Sequence, residues 1–446
     1  SCLYSKAISI DGTLMNHIER LWQLDTLPFK NEKQMVRSKE DKYAVTLLEQ
    51  ETTRVEVQGV QRYATPLLRR ENMPKLHVPK EVVSNYFRNT ERRLAKNPQQ
   101  AAVYREEINK LVVAGHVKRI DNLTAEQSQE SWYLPHHKVS HNGKERVVFN
   151  CSFQVGRQCL NRYLLPGPTL GPSLLGVLMR FRQDKVAISG DIKGMFHQVR
   201  LLEEDKPLLR FLWRDNPNDE HPSIYQWQVL PFGTTCSPCC AIFALQQHVS
   251  EDPDADEDAR YSVERCFYVD NCLQSVATEE EARTLIIKLR TLLARGGFDL
   301  RQWASSNPNV LSQLPPEARA RSSETWMAHS LGEAQEMTLG LVWCFKTNTL
   351  HYRHTPPEVK PITRRSIYSI LASQYDPLGY ILPYTTRAKV LVRELWAKEQ
   401  GWDDPLPDHL AKRWREWEEE LPLLKEITLP RSYFPPSVAL ETSKID

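Results

Sequence analysis

The sequence predicts an α+β fold, an antiparallel sheet backed by helices. Three observations carry this. Short apolar runs recur through the middle of the chain: VAISGDI (186–192), LLRFLWR (208–214), YQWQVLP (225–231) and CFYVDNCLQ (266–274). Their length and turn-forming flanks suit strands. Longer amphipathic stretches lie between them, CSPCCAIFALQQHVSED (236–252) and EEEARTLIIKLRTLLARGG (279–297). The resulting order is strand, strand pair, helix, hairpin, helix, strand, which fits a sheet covered on its face by helices.

The remaining elements follow in chain order. LMNHIERLWQL (14–24) has apolar residues at helical spacing, so residues 1–60 read as helical. Two helices are expected over residues 82–120, the second ending at Gly115, a residue suited to the left-handed position after a helix. WYLPHHKVSHNGKERVVFNCS (132–152) reads as a β-hairpin turning at Asn142-Gly143. A helix is expected over 170–183, with Pro172 near its first turn. FHQVRLL (196–202) reads as a further apolar run, and MTLGLVWCF (337–345) as a strand. Acidic residues open the 279–297 helix and Gly296-Gly297 closes it, as the helix dipole and C-cap favour. From about residue 360 the chain reads as mainly helical, with proline clusters at 355–361 and 405–407 as candidate joints.

Composition bounds the function. The chain has 446 residues, 41% hydrophobic and 26% charged, enough for two or three domains. It has no apolar run of membrane-spanning length, so no membrane partner is expected. It starts at Ser1 with no signal-peptide pattern, and it is expected to begin inside a larger product. Nine cysteines without a regular framework suit a reduced, intracellular and cytoplasmic setting. Cys236, Cys239 and Cys240 read better as small buried side chains than as a zinc site, since no second ligand pair completes one. The net charge of +2 hides segregation. Residues 61–120 carry thirteen Lys/Arg against five Asp/Glu, and residues 131–210 carry twelve against six. The compensating acid includes EDPDADEDAR (251–260) and REWEEELP (415–422). Segregated positive charge suits a polyanion, and equally suits solvated helical faces.

Asp191 and Asp270 each end an apolar run. A lone Asp there is usually a turn former. Two of them on adjacent strands would make a divalent-cation site. Gly233, before a helix, allows close approach of backbone to a base or phosphate. Lys144 and Arg146 lie on the basic hairpin, where they would hold a triphosphate or simply be solvated. His136 and His137 are adjacent on a strand and so point to opposite faces, which argues against a shared ion.

In this order and spacing, RVVFN (146–150), DIKGMFHQVRL (191–201), LPFGTTCSP (230–238), FYVDN (267–271), GGFDLRQWAS (296–305) and LGLVW (339–343) resemble successive motifs of a reverse transcriptase. WYLPHHKV (132–139), LLPGPTLGPSLLGVLMRFR (164–182) and SQYDPLGYILPYTTRAKVLVRELW (373–396) resemble the BEL/Pao class of long-terminal-repeat retrotransposons, over about residues 15–440. The resemblance implies a right-hand polymerase. Residues 1–85 would be a helical extension, 86–355 fingers and palm, 356–430 a helical thumb, and 431–446 a linker towards a ribonuclease H domain. It implies two Mg²⁺ or Mn²⁺ ions, an RNA or DNA template-primer, dNTPs, and residence in a virus-like particle.

By the same resemblance, Asp191, Asp270 and the Ile192 carbonyl would hold metal, with Asn271 beside them. Phe196 would lie under the sugar of the incoming nucleotide and exclude a 2′-hydroxyl. Arg146 would grip phosphates, helped by Lys138 or Lys144. Phe232 and Gly233 would floor the pocket. Leu339, Gly340 and Trp343 would belong to the primer grip. Phe196, Trp213, Trp227 and Trp343 also fit as core aromatics, the preferred reading for Trp213 and Trp227. The family usually has a second carboxylate where Asn271 stands, and often Asp where Asn150 stands. A carboxamide keeps an oxygen of similar shape and loses a charge. An active polymerase and a catalytically degenerate nucleic-acid-binding relic both remain open.

Overall fold

The computed structural model describes residues 37–121, 129–141, 144–216, 219–327, 335–353, 361–396 and 401–433. The expected helix at 14–24 lies outside them. Helix α1 (Lys39–Glu51) opens on a capping box: the Ser38 hydroxyl accepts from the Asp41 amide, and the Asp41 carboxylate reaches back. A hairpin follows, β1 (Thr53–Val57) and β2 (Val60–Thr65). It turns on Gln58 and Gly59, both at positive φ. This corrects the helical reading of residues 1–85. A two-residue turn with two left-handed positions closes a hairpin between β-branched strands, and helical periodicity does not register it.

Helices α2 (Lys80–Ala95) and α3 (Pro98–Val113) form the expected pair, with Gly115 at φ +67 beyond the second. Strand β3 (Val117–Ile120) precedes the basic hairpin, β4 (His136–His141) and β5 (Lys144–Phe149), which pair in the register expected for a turn at 142–143. Short β6 (Gln154–Val155), β7 (Gln158–Cys159) and α4 (Leu160–Tyr163) lead to α5 (Leu174–Phe181), capped by the Ser173 hydroxyl. Pro172 thus precedes the cap. Next come β8 (Val186–Ile192), α6 (Met195–Gln198), β9 (Arg200–Leu201), β10 (Arg210–Trp213) and β11 (Ser223–Trp227). The run read at 196–202 is therefore a turn of helix and a very short strand, because Gly194 at φ +55 redirects the chain after β8.

Helices α7 (Ser237–Glu251) and α8 (Glu257–Arg265) precede the hairpin β12 (Phe267–Tyr268) and β13 (Asn271–Val276). Then come α9 (Glu279–Arg295), β14 (Leu300–Ser305) and α10 (Arg321–Met327). The stretch expected as one strand is a hairpin, β15 (Gln335–Thr338) and β16 (Leu341–Cys344), turning on Leu339 and Gly340 at φ +46 and +88. Strand β17 (Thr349–Tyr352) follows. The C-terminal part holds α11 (Arg364–Ala372), α12 (Leu382–Trp396) and α13 (Asp408–Glu418), then β18 (Thr428–Pro430).

The central sheet runs β12-β13-β8-β14, and every pairing in it is antiparallel. A second sheet, β15-β16-β17-β18, joins the C-terminal part to the middle of the chain. The central sheet separates two apolar cores. Along β8, Val186, Ile188 and Ile192 enter the first core with Trp303, Leu289 and Leu245. Ala187, with Leu273 of β13 and Ala304 of β14, enters the second with Trp343, Trp414 and Trp417. Strand alternation therefore puts Asp191 on the side of the second core.

The expected linker from 431 onward is corrected at its start, since Arg431 is fully buried. Its guanidinium donates to the carbonyls of Phe181 (2.6 Å), Asp184 (2.7 Å) and Lys185 (2.7 Å), and to Asn348 Oδ1 (2.7 Å). The fork of donors thus ties the C-terminal segment to the loop entering β8. Arg431→Ala removes the buried donors that these carbonyls share and leaves Asn348 Oδ1 with only its contact from Trp343, with an expected loss of about 3 kcal/mol in urea unfolding.

Burial also keeps three histidines neutral. His116 and His136 are pushed down to about 4 and His197 to about 3 by desolvation, with nearby Arg200 adding to the effect at His116. Unfolded histidine takes up a proton below about pH 6.5. The unfolded chain therefore binds more protons as pH falls from there towards 4, and stability declines in that window. The His136→Phe variant is expected to lose less stability between pH 6.5 and about 4.5 than the native chain, measured by urea midpoints.

Candidate active site

The ladder between β8 and β13 builds the site. Asn271 pairs directly with Asp191, Cys272 with Gly190 and Leu273 with Ser189. Asp270 lies in the turn before β13, and its carbonyl accepts the Ile192 amide at 2.9 Å. The turn is thus fastened to the end of β8, and both carboxylates sit at one corner of the sheet. Gly190 is needed next to Asp191, since a Cβ there would lie 3.1 Å from the Trp303 ring. On the other side of β8, Arg301 pairs with Asp191 in the ladder and gives its guanidinium to Asp299 at 2.6 Å.

The turn is strained. Val269 stands at φ +58, a region that β-branched residues rarely enter. Tyr268 and Asn271 are paired, so only Val269 and Asp270 make the turn. This backbone form closes the turn at Asp270, at a cost of order 1–3 kcal/mol that the surrounding pairing sustains.

Half-burial sets the electrostatics. Asp191 is raised to about 6, first by desolvation, then by the charges of Asp270 and Glu336. Asp270 is raised by desolvation, which a hydrogen bond from Asn271 partly offsets. The Asn271 amide donates to Asp270 Oδ1 at 2.7 Å. Asn271 therefore orients one carboxylate while facing the other. Two like charges held together out of full solvent are a setting that a cation relieves.

Phe196, Phe232 and Gly233 come together as expected. The Phe196 and Phe232 rings are 4.9 Å apart, and His197 packs edge-on to Phe232 at 5.0 Å. Phe232 is 56% exposed, an apolar surface left open to a ligand. Gly233 has φ +105, and a Cβ there would be 3.1 Å from the Phe149 carbonyl. Asn161 clamps this loop, donating to the Gly233 carbonyl (2.9 Å) and accepting from the Thr235 amide (3.1 Å). Neither contact was legible in the sequence, because Asn161 is seventy-two residues from Gly233. Asn150, noted for its departure from Asp, accepts from the Ser152 amide at 3.0 Å.

Lys138 and Arg146 do not converge. Lys138 lies opposite Val147 and is ion-paired with Glu145 at 2.5 Å, whereas Arg146 lies opposite Val139 on the exposed face. Strand alternation thus separates Lys138 from Arg146, which corrects their expected cooperation. The Lys144 side chain lies outside the described residues. Trp343 fits its reading as a core aromatic: it is fully buried, edge-on to Phe181 at 5.0 Å, and donates to Asn348 Oδ1 at 3.3 Å. Leu339 packs against the same core. Over the Leu339-Gly340 turn lies Tyr375, whose ring leaves no room for a Cβ on Gly340. Trp213 and Trp227 are buried, as preferred. Tyr375 and Glu336 were missed; both depend on the later segments folding back onto the palm-like sheet.

Comparison with known proteins gives the class. Residues 140–302 match the family model "Reverse transcriptase (RNA-dependent DNA polymerase)" and enclose Arg146, Asp191, Phe196, Gly233, Asp270 and Asn271. Residues 363–444 match "Pao retrotransposon-like RNaseH-like domain". Of this second stretch, the described residues hold α11, α12, α13 and β18. A search of curated proteins gives no match. Solved structures similar to the chain include a foamy viral protease-reverse transcriptase in complex with RNA/DNA hybrid, at 14% identity and TM-score 0.47, covering 87% of this chain and 44% of that one. Another is the foamy viral protease-reverse transcriptase dRH in complex with ds DNA, at 14% identity and TM-score 0.45, covering 70% and 46%. The chain thus spans under half the length of these proteins.

Two substitutions test the site's backbone. Gly233→Ala is expected to lower stability by about 1 kcal/mol or more in thermal unfolding, through its positive φ and the Phe149 carbonyl. Val269→Gly is expected to raise stability by up to about 1 kcal/mol in thermal unfolding, the strain released at φ +58 exceeding the entropy the unfolded chain gains.

Proposed function

We propose that the chain is an RNA-directed DNA polymerase module that adds deoxynucleotides to a primer 3′ end. The observation that carries this is the β8–β13 ladder, which brings Asp191 and Asp270 to one sheet corner within a stretch matching the reverse transcriptase family. Residues 86–355 would serve as fingers and palm and 356–430 as thumb.

The donor set fits divalent cations. Mg²⁺ takes oxygen ligands and usually one or two protein carboxylates, the rest coming from water and substrate phosphates. Asp191, Asp270 and the Ile192 carbonyl would hold two Mg²⁺ or Mn²⁺ ions. Bound there, such ions would neutralise charge developing on the attacking and leaving oxygens of an in-line transfer. The chain's own residues do the rest. Asn271 holds the Asp270 carboxylate in one orientation. Phe196, backed by Phe232, packs under the sugar and selects the deoxy form. Gly233 lets the nucleotide approach the backbone, and Arg146 reaches phosphate from the exposed face of its hairpin. The Leu339-Gly340 turn, covered by Tyr375, supports the primer end. Template and primer would be RNA or DNA, recognised by backbone and shape. Among the described residues no helix is long and apolar enough to cross a membrane.

Asn271 favours a second reading. Its amide occupies an Asp270 lone pair and supplies no charge, as in a scaffold that binds nucleic acid without extending it.

Primer extension on an RNA template with dNTPs, in Mg²⁺ and separately in Mn²⁺, decides between these. Extension is expected from the native chain, and Asp270→Ala is expected to lower it by on the order of 10²–10³-fold. Activity in Asn271→Asp alone, or in neither, supports the binding scaffold. Phe196→Ala is expected to admit ribonucleotides in the same assay, seen as extension with NTPs that the native chain refuses.

A further inference from the structure

A third carboxylate reaches the corner that holds Asp191 and Asn271. Glu336 lies on β15, whose residues alternate: Gln335 and Met337 face solvent, while Glu336 and buried Thr338 turn inward. The inward face meets the end of the central sheet. Asp191, Asn271, Gln302, Glu336 and Leu339 line one small cleft there. Gln302 opens its edge, since β14 bulges between Arg301 and Ala304 with Gln302 at φ +55. Glu336 is held in place from α10, where the Ser322 hydroxyl donates to its carboxylate. It is half-buried, and its charge is felt at Asp191. A carboxylate held partly out of solvent beside another is costly unless a cation shares the site.

Asn271 also faces Asp191, but across the ladder and without charge. The corner therefore lacks one negative charge at the strand position and gains one from the neighbouring sheet. We propose that Glu336 supplies the charge that Asn271 lacks, and so positions the divalent cations held by Asp191 and Asp270. This rests on the polymerase reading above. Among the described residues no three His, Cys, Asp or Glu side chains are grouped so as to hold a metal ion together. Glu336 accordingly acts through water on the ion and through its field, as a positioning residue rather than a direct ligand.

The test is Mn²⁺ binding to the full chain without nucleic acid or dNTP, with free Mn²⁺ followed by electron paramagnetic resonance. Glu336→Gln is expected to weaken binding by about tenfold, the scale of outer-shell substitutions at metal sites. Adding Asn271→Asp to it is expected to restore affinity to within about threefold of the native chain. Ser322→Ala, which removes the fastening contact and keeps the charge, is expected to bind within about threefold of native as well. Unchanged affinity in Glu336→Gln while Asp191→Asn weakens binding would overturn the role of Glu336 and leave the polymerase reading standing. Weakening that Asn271→Asp cannot restore, or that Ser322→Ala reproduces, would mark Glu336 as a mere fastener of α10 and overturn the proposal. Unchanged affinity in Asp191→Asn would overturn the metal site itself, and this proposal with it. If Glu336→Gln fails to fold, Glu336→Ala, which places no amide in the cleft, is read in the same way.

Discussion

The register of one strand pair sets the rest. Asn271 lies opposite Asp191, and the Ile192 amide fastens the Asp270 carbonyl. A slip of one residue would turn every side chain of β13 to the other face. Leu273 would leave the second core, and Asn271 would leave Asp191. The apolar alternation that buries Leu273 with Trp343 and Cys272 with Trp303 thus fixes the chemistry at the strand end. Packing energy spread over the sheet holds two carboxylates in a place that their mutual repulsion opposes.

The second core explains why distant segments matter to that corner. The C-terminal helices pack Trp414 and Trp417 on the side of the central sheet that carries Asp191. The buried Arg431 fork fixes their far end to the loop before β8. Between these, β15 and β16 bring Glu336, Leu339 and Gly340 to the cleft. Trp343 is central here through burial: it lies in the core against which Leu339 packs, with Tyr375 as the cover over Gly340.

Asn271 gains a defined physical role. A second carboxylate opposite Asp191 would raise the like-charge repulsion at the corner. The carboxamide lowers that repulsion and spends one N–H on holding Asp270. What it gives up is field strength at any cation that this corner would hold. The corner then depends more on charges delivered from other strands, and so on sheet-to-sheet placement rather than on a local motif.

Local periodicity and turn chemistry made much of the molecule legible in advance. The helix pair, the basic hairpin, β8, α7, the β12–β13 turn and α9 all stand where apolar spacing, capping residues and glycines place them. Asp191, Asp270 and Gly233 stand out because each ends an apolar run or precedes a helix, whereas Phe196 and Phe232 stand out only through the resemblance of their motifs to a reverse transcriptase. Other features needed the tertiary structure. The first hairpin was hidden by its short strands, and the Leu339-Gly340 turn by a non-glycine in a left-handed conformation. The separation of Lys138 from Arg146 is different in kind, since it follows from the register that a two-residue turn at 142–143 already implies. Glu336, Asn161, Tyr375 and Arg431 act on partners dozens to hundreds of residues away. A sequence records what each residue can donate, accept or bury. Which partner it meets is decided by long-range packing, where the loss of chain entropy on closing long loops is repaid only by the assembled cores.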